Sequence, residues 1–137
     1  MGYKSDNPIP GHPLVFSTKD VLGNEVVFYS QTWHQHILLG DHAVMSPYQS
    51  LIEPCIIDPT AIRKSTESAL ALVFENAVHN LPPEDLLRVI VKYATGTFMT
   101  GSSTGFVMTA FPVDSATYPN PKIGPIVYRK PSKTGGR

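Results

Sequence analysis

Leu86-Leu87-Arg88-Val89-Ile90-Val91-Lys92-Tyr93 is the stretch that decides the fold class of this chain. Its β-branched content and its length read as a strand. The period of two puts Arg88 and Lys92 on one face. Pro82-Pro83 breaks the chain before it, and a segment carrying Gly96, Gly101 and Gly105 with several Ser and Thr follows it as a loop or hairpin end. Phe106–Phe111 (FVMTAF) is the next strand. Ile123–Tyr128 (IGPIVY) is a last one, placed at an edge because Pro125 cannot donate to a second neighbour.

Upstream, residues 66–78 (TESALALVFENAV) carry an ambiguous signal, with Ala and Glu suited to a helix and Leu70, Leu72 and Phe74 alternating as in a strand. The alternation favours a strand. Asp58-Pro59 opens a turn, with Asp as a cap and Pro at a first helical position. Short helices are predicted over Trp33–Leu39, stopped by Gly40, and over Pro47–Glu53, ending before Pro54. Leu14–Ser17 and Glu25–Tyr29 form a hairpin around Gly23-Asn24. The predicted class is α+β: an N-terminal hairpin and short helices packed on an antiparallel sheet of about four strands.

The 137 residues make one domain. Residues 1–13 read as an extended proline-rich arm, 14–128 as the domain and 129–137 as a basic tail. Hydrophobic residues at 42% and charged residues at 16% exclude a disordered chain and a long coiled coil. No apolar run is long enough to span a membrane, and the first 20 residues hold no apolar block, so a cytoplasmic protein is expected. The single Cys55 excludes an internal disulfide, and its apolar neighbours suit an inert thiol. Net charge is zero but uneven: residues 1–118 hold six Lys/Arg against eleven Asp/Glu, and residues 119–137 hold five Lys/Arg and no acid. A zero total argues against coating nucleic acid by charge alone, while the basic end can meet phosphates or serve as a solvated terminus.

Chemistry concentrates in Trp33-His34-Gln35-His36 and Gly40-Asp41-His42. Paired histidines suit proton transfer in both directions near neutrality. On a helix His34 and His36 point about 200° apart, whereas His36 and His42 can converge at a helix end. A zinc site needs a third ligand that this pattern does not supply, so no metal and no cofactor is expected. Arg63-Lys64 suits a phosphate or an ordinary solvated pair. Thr109, within Phe106–Phe111, suits a site or a plain sheet position.

The order of these motifs resembles the phage and toxin-type nucleases of the barnase–EndoU–colicin–RelE-like fold. Carrying the resemblance are Trp33-x-x-His36-Ile37-Leu38, the following His42, and Ile56-x-Asp58-Pro59-x-x-Ile62-x-x-Ser65. Leu87–Lys92 and Met108-Thr109-Ala110-Phe111 complete it, so that it runs from about Glu25 to Phe111. It implies metal-independent RNA cleavage, with activation of the ribose 2′-hydroxyl, stabilisation of a phosphorane and protonation of the leaving 5′-oxygen. By position, His36 and His42 become acid and base, Arg63 a phosphate clamp, and Thr109 an orienting hydroxyl. Lys64, Arg88, Lys92 and Trp33 become substrate contacts. RNA is the implied partner, with a cognate antitoxin or immunity protein beside it.

One departure leaves the function open. The acidic member of the family's step after the second histidine is absent, since His42 is followed by Ala43-Val44. An active ribonuclease, a catalytically inactive RNA- or protein-binding module on the same fold, and a phage accessory or structural protein therefore stand as alternatives.

Overall fold

The computed structural model describes residues 13–34, 37, 49–77, 86–113 and 123–131. Among the described residues seven strands are present: β1 (Leu14–Lys19), β2 (Glu25–Tyr29), β3 (Ala61–Ser65), β4 (Ala71–Ala77), β5 (Leu86–Tyr93), β6 (Thr104–Val113) and β7 (Ile123–Arg129). They form one sheet in the order β1-β2-β6-β5-β4-β3-β7. The class is α+β as expected, but seven strands replace the expected four. Every pairing is antiparallel except β2 with β6, which is parallel and sets Val26 opposite Gly105.

The long hydrophobic strands β4, β5 and β6 lie at the centre of the sheet, and one face of it carries the main core. On β5, Leu87, Val89, Val91 and Tyr93 enter the main core, as do Leu72 and Phe74 from β4 and Ile62 from β3. The helix α1 (Ile52–Ile57) lays Ile52, Cys55 and Ile56 on that same face. Trp33 and Ile37 join them, with Trp33 set edge-on to Phe28 at 6.2 Å. Val27, Tyr29 and Phe106 form a second, smaller cluster. Among the described residues no helix is long and apolar enough to cross a membrane.

Three local expectations require correction. The helix predicted to stop before Pro54 instead contains it, because Pro54 lies in the first turn, where its missing N–H has no intrahelical partner to lose. Asp58 ends α1 rather than opening a helical turn, its N–H donating to the Pro54 carbonyl at 2.9 Å. The residues after it form β3, a strand that composition did not signal. Arg129 and Lys130, expected in the basic tail, are instead tied to the sheet. Arg129 closes β7, and Lys130 donates to Asp58 Oδ2 at 2.8 Å and through its backbone N–H to the Thr60 carbonyl at 2.9 Å. Residues 1–12 of the expected 1–13 arm and residues 132–137 lie outside the described residues.

A buried polar knot fixes the turn between β1 and β2. Asp20 Oδ1 accepts from the Leu22 and Asn24 N–H groups, and Asp20 Oδ2 accepts from Asn24 Nδ2 and from the Tyr93 hydroxyl at 2.6 Å. Burial, followed by the Asp20 charge and hydrogen bond, pushes the Tyr93 hydroxyl far up from its ordinary pKa, so it stays a donor. Asn24 Nδ2 also donates to the Phe98 carbonyl at 2.8 Å, which ties the turn to the short 3-10 helix Gly96–Thr100. Gly101 ends that helix at φ 77°, and a Cβ there would stand 2.4 Å from the Leu22 carbonyl oxygen. Gly101→Ala is therefore expected to cost about 1–3 kcal/mol through left-handed backbone and overpacking together, measured by urea denaturation. A loss below about 0.5 kcal/mol would show that the turn yields freely.

Candidate functional site

Register decides which side chains meet. Residues directly opposed across an antiparallel ladder share a face. Glu75 stands opposite Ala61 on β3 and Arg88 on β5, and Arg88 stands opposite Phe111 on β6. In the next row Arg63 is opposite Val73, Val73 opposite Ile90, and Ile90 opposite Thr109. Lys92 lies one row further along, opposite Ala71 and Phe106. Arg63, Glu75, Arg88, Lys92 and Thr109 thus occupy one face of the sheet, and it is the face away from α1.

Of the residues expected to carry function, the structure brings Arg63, Arg88, Lys92 and Thr109 to this face. It does not bring Lys64 or Trp33 there. Lys64 is opposite Leu72, on the core side of the sheet, and exposed. Trp33 is 6% exposed within the main core, so its ring is committed to packing. His34 is exposed, beside that buried tryptophan. His36 and His42 lie outside the described residues.

An ion-pair triad links the basic residues. Arg63 Nε donates to Glu75 Oε1 at 3.1 Å, and Arg88 Nε donates to Glu75 Oε2 at 2.8 Å. Exposure falls along it, from 31% for the Arg63 side chain to 6% for Glu75 and 5% for Arg88. Two guanidiniums against one carboxylate leave a net positive charge, and Lys92 adds another at the exposed end of the same face. Sequence reasoning missed Glu75, which reads as an ordinary polar end to β4. Its signal was the spacing Ala71-Val73-Glu75, which only the register with Arg88 makes informative.

Among the described residues two side-chain polar atoms on this face are buried without a hydrogen-bond partner: Arg88 Nη1 and Thr109 Oγ1. Buried polar groups are normally paired, and each one left unpaired costs about 1–3 kcal/mol. The two belong to diagonal neighbours on adjacent strands, about 7–8 Å apart at the backbone and within the reach of an arginine. The β5–β6 register slips between Ile90 and Val91, so that Met108 is the extra residue immediately before Thr109. Such bulges re-aim the following side chain and are frequent beside active sites. Arg88 Nη1 and Thr109 Oγ1 thus lie on one face of neighbouring strands with surplus positive charge around them, a donor set whose chemistry suits an oxyanion.

Cys55 offers no second reactive centre. Burial, with the Glu75 charge as a smaller cause, drives its thiol pKa far up, so it stays protonated.

Thr109→Val is expected to leave folding stability unchanged or to raise it by about 1 kcal/mol, since it removes an unsatisfied hydroxyl at nearly constant shape. The same substitution should weaken any function of the face, a pairing of effects that marks a functional site. Denaturation and RNA-cleavage assays on the one variant check both halves. A clear loss of stability would identify Thr109 as a structural residue instead.

The chain matches no family model, no curated protein and no solved structure in the three comparisons made.

Proposed function

We propose that this chain is a metal-independent endoribonuclease that cleaves RNA by attack of the ribose 2′-hydroxyl on the adjacent phosphodiester. The observation that carries the reading is the shared face of Arg63, Arg88 and Thr109, with Arg88 Nη1 and Thr109 Oγ1 buried and unpartnered. A scissile phosphate gains negative charge as the phosphorane forms, and fixed donors in a buried setting stabilise it far more than water does. In this reading Arg88 and Thr109 contact the phosphate, Arg63 and Lys92 extend the positive field towards solvent, and His36 and His42 supply the base and the acid. RNA is the substrate, and a cognate antitoxin or immunity protein is the protein partner.

Labelled RNA incubated with the full chain in EDTA should be cut, because neither proton transfer nor the guanidinium clamp calls for a metal. Cleavage that EDTA abolishes and manganese or zinc restores would overturn the acid–base reading. RNA retained without being cut would instead support the inactive binding module that the missing acidic residue after His42 leaves open.

A further inference from the structure

The acid between the two arginines has no role in the reaction as just described. Glu75 is 5% exposed, and it takes one Nε from each neighbour, Arg63 on Oε1 and Arg88 on Oε2. A guanidinium is a rigid fork of five N–H donors. Anchoring it through Nε fixes the plane of the fork and leaves terminal N–H groups for another acceptor. For Arg88 that remainder is visible, since Nη1 is buried and has no partner. Without a fixed carboxylate, a long side chain bearing that charge has many rotamers and no reason to hold a donor beside Thr109.

We propose that Glu75 is a positioning residue. It locks the Arg88 and Arg63 guanidiniums so that Arg88 Nη1 and Thr109 Oγ1 are presented together to a tetrahedral oxyanion. The identity of that oxyanion as the phosphate of a phosphodiester rests on the ribonuclease reading, whereas the geometry does not. Glu75 touches neither substrate nor reacting atoms in this role. It acts through the two arginines, by direction rather than by charge.

Direction and charge predict opposite signs, which gives the test. If Glu75 mattered only as a negative charge near the site, Glu75→Gln would strengthen anion binding by removing repulsion. If it positions Arg88, Glu75→Gln should weaken anion binding, because glutamine replaces one of the two carboxylate oxygens by an NH₂ donor, which faces an arginine N–H instead of accepting from it. Inorganic phosphate titrated into the full chain by calorimetry is the probe, with circular dichroism to establish folding. The parent should bind phosphate, and Glu75→Gln should bind it about tenfold more weakly or worse, the effect of losing one charge-assisted hydrogen bond. Glu75→Asp keeps the charge but is one methylene too short to reach both arginines. It should also bind more weakly, and it decides the matter if the glutamine variant does not fold.

Phosphate affinity equal to or tighter than the parent's in a folded Glu75 variant overturns the proposal, as does a parent that binds no phosphate at millimolar concentration. Because the readout is binding, it separates from the cleavage reaction. A parent that binds phosphate in a Glu75-dependent way yet cuts no RNA upholds the positioning role and removes the ribonuclease reading.

Discussion

Alanine at His36 or at His42 is expected to slow single-turnover RNA cleavage by about 10²–10⁴-fold, the usual contribution of one proton-transfer partner. Either loss alone should remove one limb of a bell-shaped rate profile between about pH 5 and 9, since base and acid act at opposite ends of the reaction. If the two histidines serve one transition state, as proposed, the double variant should be little slower than the slower single one. His34→Ala is the internal control. Its side chain is exposed, so its loss should cost little. Cleavage at the parent's rate in both His36→Ala and His42→Ala would move the acid and base elsewhere.

Arg88→Ala should be the most damaging substitution for folding on the sheet face. The Arg88 side chain is 5% exposed and its Nε lies 2.8 Å from the buried Glu75 carboxylate. Removing one partner of a buried pair leaves the other uncompensated and typically costs about 3–5 kcal/mol. The contrast is the informative part. Replacing Arg63, Glu75 and Arg88 together by Met, Leu and Met should be near neutral or stabilising, because burying the Glu75 and Arg88 charges has a desolvation cost that apolar side chains of similar volume avoid. Urea denaturation of both variants checks this. A triple variant as stable as the parent and unable to cut RNA would show that the triad serves the reaction more than the fold. A triple variant as unstable as Arg88→Ala would show that the ion pairs hold the sheet together.

The parts of the fold that local pattern can specify are legible in the sequence alone. Leu86–Tyr93 alternates cleanly, and the structure places its odd positions in the core and Arg88 with Lys92 on the other face. The hairpin of β1 and β2 follows from Gly23-Asn24, whose glycine has φ 101°. Pro125 marks β7 as an edge, where the strand order puts it. What pattern cannot specify is partnership between distant segments. β3 carries Ala61-Ile62-Arg63-Lys64-Ser65, too polar to announce a strand, and it exists because β4 and β7 pair with it on either side. The parallel contact of β2 with β6 joins residues far apart in sequence and has no local signature. Glu75 failed to register as a site residue for the same reason. Its meaning lies in standing opposite Arg88 and within reach of Arg63, and register alone supplies that. Lys64 and Trp33 show the converse: alternation along β3 turns Lys64 to the face opposite Arg63, and Trp33 packs into the main core, away from Thr109.

The claim that this face cuts RNA is tested most directly by the chemistry of the product. A short labelled RNA should be incubated in EDTA with the full chain and with Thr109→Val, beside a copy of the RNA carrying a single 2′-deoxyribose at the cleaved position. Attack by the 2′-hydroxyl requires that the new 3′ end carry a 2′,3′-cyclic phosphate, which mass spectrometry identifies, and that the deoxy position resist cleavage. The account predicts both, with Thr109→Val slowed while remaining folded. A folded parent that leaves the RNA intact, or one that cuts the deoxy position equally well, would contradict it.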